Sequence, residues 1–283
     1  MKKYKEKIME NVFLLTACVS ILSVALICIF LFANGIPAIK EVGLGDFLLG
    51  QRWKPGNELY GIFPMILGSI YVTVGALIIG IPIGILTAVF MARFCPKKLY
   101  RFLKPVVELL AGIPSVVYGF FGLVVLVPFV RETFGGQGTS IFTASLLLGI
   151  MILPTIIGVA EAAIRAVPNS YYEGALALGA THERSVFCTI LPAAKSGIMA
   201  GVVLGVGRAI GETMAVIMVA GNQARIPNGI FKGIRTLTAN IVMEMGYAAD
   251  LHREMLIATG VVLFIFILLI NVTFSFIKRK ERS

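Results

Sequence analysis

Apolar residues fall in six long blocks along this chain of 283 residues, and nearly all charge is collected in the stretches between them. A helix needs about 20 predominantly apolar residues to cross a hydrocarbon core of ~30 Å. Blocks near 12–33, 63–91, 106–130, 140–160, 197–219 and 255–277 meet that length. Each predicts a spanning α-helix, because backbone N–H and C=O groups in lipid must be satisfied within their own segment. The expected fold is an all-α integral membrane protein with six transmembrane helices, forming one domain over 12–283. Its connecting segments are outer loops at 34–62, 131–139 and 220–254, and a long loop at 161–196 on the other side.

Composition points the same way. The chain is 58% hydrophobic and 14% charged, with mean hydropathy +0.91, whereas a soluble domain is about 45–50% apolar and about a quarter charged. A net charge of +10 could mark a nucleic-acid binder, but the basic residues flank the apolar blocks, which is how membrane topology is encoded. The lipid bilayer is therefore an expected partner, and nucleic acid is not. With the N-terminus inside, inner segments hold 16 Lys and Arg and outer segments hold 8. That bias puts residues 1–11 and the C-terminus in the cytoplasm. The head Met1-Lys-Lys-Tyr-Lys-Glu-Lys7 imitates a secretory signal, yet the apolar run behind it, about 20 residues, exceeds the ~7–15 of a cleavable one. It reads as an uncleaved span. Cys18 and Cys28 fall in that span and Cys95 and Cys188 in inner loops, so no disulfide is expected.

The inner loop from Glu161 to Pro192 exceeds 30 residues, far more than antiparallel neighbours need. Within it, Ser170-x-x-Glu173 has the pattern of a capping box, Pro168 lies just upstream, and Gly179 suits a helix C-terminus. A second short helix is expected from Thr181 to just before Pro192. The two form an elbow joined at Gly179. Helices shorter than ~12–15 residues are marginal alone in water, and the first carries Tyr171, Tyr172, Leu176 and Leu178. Such an element either lies solvated on the membrane surface or docks in a groove of another protein. The residues by themselves leave both open.

Glu173-Gly-Ala-Leu-Ala-Leu-Gly179, followed by Leu191-Pro192, resembles the EAA loop of ABC-importer permeases. Glu173, Ala175, Gly179, Leu191 and Pro192 are in register, while Gly174 and Thr189 depart from the pattern. The resemblance implies that residues 168–190, including Ser170, Tyr171 and Tyr172, form a coupling element seated on an ATPase subunit. The chain has no Gly-x-x-x-x-Gly-Lys-Ser/Thr loop, so ATP and Mg would be bound by that separate subunit. No cofactor or metal site is expected in this chain, which does not read as an enzyme.

The run Leu204-Gly-Val-Gly-Arg-Ala-Ile-Gly-Glu-Thr-Met-Ala-Val-Ile217 places Arg208 and Glu212 inside an apolar block. On one continuous helix they lie one turn apart on the same face, so pairing is expected. An Arg at the centre of a membrane helix costs roughly 2.5–3.5 kcal/mol on insertion scales, which pairing offsets in part. One reading is a pair that fixes bundle register. The other has Arg208 facing a water-filled pathway, its planar fork matching anion oxygens, with Glu212 holding it in place. Gly201 and Gly205, and Gly207 and Gly211, form two small-xxx-small pairs that allow close helix approach. In the third block Pro114 and Gly112 should kink the helix, which would put Ser115 and Tyr118 on the same pathway. The alternative is a plain proline kink in which Ser115 bonds its own backbone.

Gly207-Arg-Ala-Ile-Gly-Glu-Thr-Met-Ala215 and Ala111-Gly-Ile-Pro-Ser-Val-Val-Tyr-Gly-Phe-Phe-Gly122 resemble signatures of the permeases of bacterial phosphate-specific (Pst) importers. The second motif, with the N-terminal span and the loop holding Trp53, is similar to the PstC branch. The resemblance runs along nearly the whole chain. It implies a type I ABC-importer permease fold in the bacterial cytoplasmic (inner) membrane. The implied partners are a PstA-type permease, two ATPase subunits and an extracytoplasmic phosphate-binding protein. It also implies that Arg208 and Glu212 take part in transport, and that the activity is ATP-driven phosphate uptake without covalent change. Sulfate, molybdate and phosphonate stay open as cargo, since one arginine does not tell tetrahedral oxyanions apart.

Two rivals belong to other classes. A secondary anion carrier with Glu212 titrating would need inverted repeats and broken helices near the midplane, which the sequence does not display clearly. An intramembrane enzyme would need a nucleophile or metal cluster at the depth of Glu212, and none is evident. His182 and His252 fall on opposite sides of the membrane; Cys95, His182 and Cys188 share a side without ligand spacing and read as solvated loop. Trp53 and Tyr60 read as interfacial anchors, and the Arg93–Lys104 cluster as a topology signal.

Overall fold

The computed structural model describes residues 2–280. Helix α1 (Lys2–Val42) carries the first apolar block, followed by a short α2 (Leu44–Leu49) and a small hairpin of β1 (Trp53–Lys54) and β2 (Leu59–Tyr60). Next come α3 (Phe63–Val89), α4 (Lys97–Gly112), α5 (Ser115–Phe121), α6 (Val127–Phe134) and α7 (Ile141–Arg165). The elbow holds α8 (Asn169–Ala177) and α9 (His182–Ser185), and α10 (Leu191–Gly211), α11 (Met214–Val219), α12 (Leu237–Glu244) and α13 (Asp250–Lys280) complete the chain. Six helical stretches among the described residues are long and apolar enough to span: Glu6–Val42, Phe63–Phe94, Ser115–Phe134, Ile141–Arg165, His182–Gly211 and Asp250–Thr273. The side chains of Lys2, Lys3 and Lys5, and of Lys278, Arg279, Lys280 and Arg282, lie outside the described residues, so their topology signal rests on sequence.

Helix α7 is the centre of the bundle. It buries Leu147, Leu148, Met151, Ile152 and Ile156, and both α3 and α10 pack along it. Glycines allow the close approach. A Cβ at Gly84 would sit 2.9 Å from Ile156 Cγ2, and one at Gly205 would sit 2.9 Å from Ile156 Cγ1. One fully buried isoleucine thus fills notches in two neighbouring helices, making dispersion contacts that a gap would forfeit. Gly201 approaches α7 in the same way. The second small-xxx-small pair behaves differently: nothing lies within 4 Å of a Cβ at Gly207 or Gly211. Gly205→Val should therefore destabilise the chain by about 1–3 kcal/mol, the usual penalty for overpacking, because Ile156 has no room to retreat. Gly207→Val should leave the melting temperature of the purified chain unchanged. Equal melting temperatures for the two variants would show that α10 shifts freely against α7.

Three spans contain a π turn, at Phe90–Phe94, Gly122–Leu126 and Val186–Ile190. Each is followed two residues later by a proline: Pro96, Pro128 and Pro192. A π turn passes over one carbonyl of the α ladder, and proline is the residue with no N–H to offer it. At Pro192 this keeps the helix running. The short helix begun at Thr181 therefore does not stop before Pro192, as expected, but continues into α10 as a single span. At Pro96 the chain leaves the helix, with Cys95 extended.

The third block also departs from expectation. The helix does not kink at Pro114 but breaks, with Ile113 and Pro114 both extended. Residues before the break belong to α4, whose polar side meets the inner end of α7. Tyr100 Oη donates to Glu161 (2.8 Å) and Lys104 Nζ donates to it at 2.7 Å. Arg165 adds its Nε at 2.5 Å, with its guanidinium 4.2 Å from the Tyr100 ring centroid. Glu161 is buried, and these three donors are what allow a carboxylate to sit there. The hydrogen bond to Glu161 holds the Lys104 ammonium above the usual lysine range, against a burial that would lower it. The basic cluster is thus partly structural as well as a topology signal.

At the end of the bundle away from the elbow, the loops fold around one carboxylate. Glu244 of α12 is buried and accepts from Trp53 Nε1 (2.7 Å) and Arg235 Nη1 (2.5 Å), with His252 Nε2 at 2.9 Å. Trp53 and Tyr60 are buried and stack edge-on, which corrects their assignment as lipid-interface anchors. An indole N–H that finds a carboxylate inside the protein has no need of the headgroup layer.

Candidate functional site

Helix α10 ends at Gly211, three residues beyond Arg208. Glu212 is extended (φ −70°, ψ 127°), so the expected same-face pairing does not form, and among the described residues no ion pair joins it to Arg208. Its carboxylate turns forward: Oε1 accepts from the backbone N–H of Thr213 (3.1 Å) and Ala215 (3.3 Å). These are donors that a new helix leaves unsatisfied at its start, and Glu212 supplies their acceptor for α11. Arg208 Nη1 donates instead to Thr155 Oγ1 on α7, at 3.2 Å. Thr155 lies ten residues before Arg165, the last residue of α7, about 15 Å along the axis, half the thickness of a ~30 Å hydrocarbon core. Sequence reasoning missed Thr155; its one signal was a lone hydroxyl beside Pro154 in an apolar block.

Two helix breaks meet at this depth. Helix α5, which starts after the Ile113–Pro114 break, packs on α11: a Cβ at Gly119 would lie 2.9 Å from Ala215 Cα. Tyr118 is buried in the same apolar cluster as Ala215 and Val216 of α11. Its Oη donates to Leu110 O back across the break, at 2.9 Å, so its hydroxyl is engaged in holding the two segments together. Ser115 is half-buried in the first turn of α5. On the open side, Leu204, Gly207 and Gly211 form an exposed strip. From outside, Thr238 Oγ1 of α12 donates to Glu212 O at 3.3 Å, laying α12 over the break in the fifth span. Arg208 and Glu212 thus flank the break in the fifth span, Ser115 and Tyr118 follow the break in the third, and among the described residues no hydrogen bond or ion pair joins the two sets. A guanidinium carries five N–H donors, and a single hydroxyl holds this one, which leaves donors for an oxyanion.

The elbow is the second candidate site. Pro168 occupies the N-cap of α8 with no side-chain cap, and Ser170 lies inside the first turn. The expected capping box is therefore absent, because the helix starts two residues too early for it. Gly179 takes φ +84°, and Gly179 N and Ala180 N return to Leu176 O and Ala175 O, the left-handed close that glycine permits. Thr181 caps α9 by accepting from Arg184 N (3.3 Å). Tyr172 turns inward, its Oη 2.8 Å from His182 Nδ1, and Phe94 meets His182 edge-on at 4.7 Å. His182 is thus an anchor of the elbow and not part of a solvated loop. Ser170, Tyr171 and Glu173 are exposed, as is Leu178 at 90%. Ala175 and Leu178 border a hollow of about 440 Å³ with Arg184 and Cys188. Leu191 and Pro192 open α10.

Residues 80–283 match the family described as binding-protein-dependent transport system inner membrane component. The chain is 40% identical over 271 residues to the probable ABC transporter permease protein YqgH of Bacillus subtilis (strain 168), covering 91% of this chain and 88% of that one. It is 36% identical over 265 residues to the phosphate transport system permease protein PstC of Mesorhizobium japonicum, covering 86% and 81%. A probable phosphate transport system permease protein PstC of Methanocaldococcus jannaschii is 32% identical, with 86% and 84% covered. Among solved structures, a bacterial alginate ABC transporter in complex with an alginate pentasaccharide-bound periplasmic protein matches with TM-score 0.65 at 18% identity, over 97% of this chain and 96% of that chain. The MetNI methionine ABC transporter in an inward-facing conformation matches with TM-score 0.58 at 23% identity, over 78% and 94%. At these identities the likeness establishes the fold. Broken helices, the feature expected of a secondary carrier, are thus present here within the fold of a type I ABC-transporter permease. This multi-pass membrane protein is a permease subunit and not an enzyme, and it belongs to the family of binding-protein-dependent transport system inner membrane components.

Proposed function

We propose that this chain forms half of the translocation pathway of an ATP-driven phosphate importer in the bacterial inner membrane, with both termini cytoplasmic. The observation that carries this reading is Arg208: a guanidinium at the membrane midpoint, held by a neutral hydroxyl (3.2 Å) beside an open glycine strip. Fixing only a helix would not need a cation that costs roughly 2.5–3.5 kcal/mol to insert. Phosphate is the cargo named for two of the relatives above. A PstA-type permease supplies the other half of the pathway, against the strip of Leu204, Gly207 and Gly211. Two ATPase subunits bind ATP and Mg and dock on the elbow, with Glu173, Tyr171 and Leu178 outward. An extracytoplasmic binding protein delivers phosphate onto the outer cover of α2, the hairpin and α12. Alternating access then exposes Arg208 first outward and next inward, and the phosphate crosses unchanged.

The test is uptake of labelled phosphate into proteoliposomes that hold this chain with its partner permease, ATPase and binding protein. Uptake should require ATP and be indifferent to excess sulfate or molybdate. Competition by sulfate would reassign the cargo to another oxyanion, and uptake without ATP would move the protein to the secondary carriers.

A further inference from the structure

Arg208 is held in the pathway by Thr155, and the chemistry of that contact says more than its length. Thr155 Oγ1 accepts from Arg208 Nη1 at 3.2 Å. A hydroxyl has one proton to donate besides its lone pairs, and among the described residues no acceptor takes the proton of Thr155. Glu212, the residue that sequence spacing offers as the holder, has its carboxylate directed to Thr213 N and Ala215 N. The difference matters electrostatically. A carboxylate on Arg208 would cancel its charge and occupy two of its donors, as bidentate pairs do. A neutral hydroxyl orients the guanidinium and leaves the positive charge intact.

We propose that Thr155 is the positioning and second anion-contacting residue of the translocation site, resting on the phosphate-importer reading above. Its oxygen aims the Arg208 fork into the open face beside Gly207 and Gly211, where nothing lies within 4 Å. Its own proton is donated to the oxyanion that lodges there. The location supports this role. Thr155 follows Pro154 within α7, next to Ile156, the residue wedged between Gly84 and Gly205. The hydroxyl is thus carried on the most tightly packed part of the bundle, which fixes its position relative to Arg208. An anion contacted by both groups receives one charged donor and one neutral donor from two helices held in close contact at Gly205 and Ile156.

The experiment compares Thr155→Val, Thr155→Ala and Thr155→Ser in the complete complex in proteoliposomes, with labelled phosphate. Thr155→Val and Thr155→Ala should lower the maximal uptake rate at least about tenfold, the factor that one charge-assisted hydrogen bond is worth. The phosphate concentration giving half-maximal uptake should not move, since the binding protein sets it. Thr155→Ser should keep uptake within about threefold of the parent, because it keeps the hydroxyl. All three variants should copurify the ATPase subunits as the parent does. Uptake at the parent rate in both Thr155→Val and Thr155→Ala would overturn the proposal. So would a Thr155→Ser as slow as Thr155→Val, which would reduce Thr155 to a packing residue. A parent complex that carries sulfate and not phosphate would defeat the cargo assignment alone, and the same three variants then test Thr155 with labelled sulfate.

Discussion

Arg208→Ala abolishes phosphate uptake, by roughly a hundredfold or more, while the ATPase subunits remain bound. The size follows from the environment. Removing one member of a buried, charge-assisted contact costs about 3 kcal/mol or more, which is more than about a hundredfold in rate or affinity. Nothing near Arg208 takes over: Glu212 has the wrong sign and caps α11, and Tyr118 donates to Leu110 O. The fold should not suffer, since among the described residues Arg208 makes a single hydrogen bond, to a neutral hydroxyl, and its insertion was itself unfavourable. Arg208→Lys should recover part of the rate, as it restores the charge without the planar fork. The measurement is initial uptake in proteoliposomes beside the quantity of ATPase copurified. Uptake that persists in Arg208→Ala would take the guanidinium out of the pathway and leave its position unexplained.

Leu178→Asp should strip the ATPase subunits from the permease without altering the permease itself. Leu178 closes α8 at 90% exposure, so its side chain contributes little to the chain's own stability. Surface substitutions of this kind stay within about 0.5 kcal/mol. Against a partner, an exposed leucine beside a hollow is a natural anchor. Burying an aspartate there without a counter-charge costs several kcal/mol. Association should weaken at least about a hundredfold, with uptake lost in parallel. Pull-down of the ATPase and thermal melting of the purified permease separate the two effects. An ATPase that still copurifies with Leu178→Asp would move the docking surface elsewhere on the elbow.

The legible features were those set by local chemistry. Six spans were readable because lipid demands long apolar runs whatever their neighbours are, and all six appear. Gly179 was readable as a helix stop because only a glycine takes φ +84° without strain. Thr181 was readable as the start of the second short helix, where its side chain accepts from Arg184 N. Elsewhere the sequence left two local solutions of similar quality. Ser170-x-x-Glu173 offered a capping box, and Pro168 took the cap because its fixed φ starts the helix earlier. Pro192 looked like a stop, and the π turn before it removed the conflict. Trp53 looked like a lipid-interface anchor, and only Glu244, 191 positions along the chain, supplies the partner that draws it inside.

The site divides along the same line. Sequence alone determined that a cation sits within a long apolar block, that glycines surround it, and that two short helices joined at Gly179 interrupt the chain between the fourth and fifth blocks. Spacing along one chain is enough for such statements. Tertiary structure decided what Arg208 touches. Continuous helix geometry would have paired it with Glu212, but α10 ends between the two, and a residue 53 positions away on α7 becomes the partner. A helix break answers to packing as well as to local propensity: past the break α11 meets α5 closely, at Ala215 and Gly119. No window of neighbouring residues contains that contact, because its two sides are contributed by helices far apart in sequence.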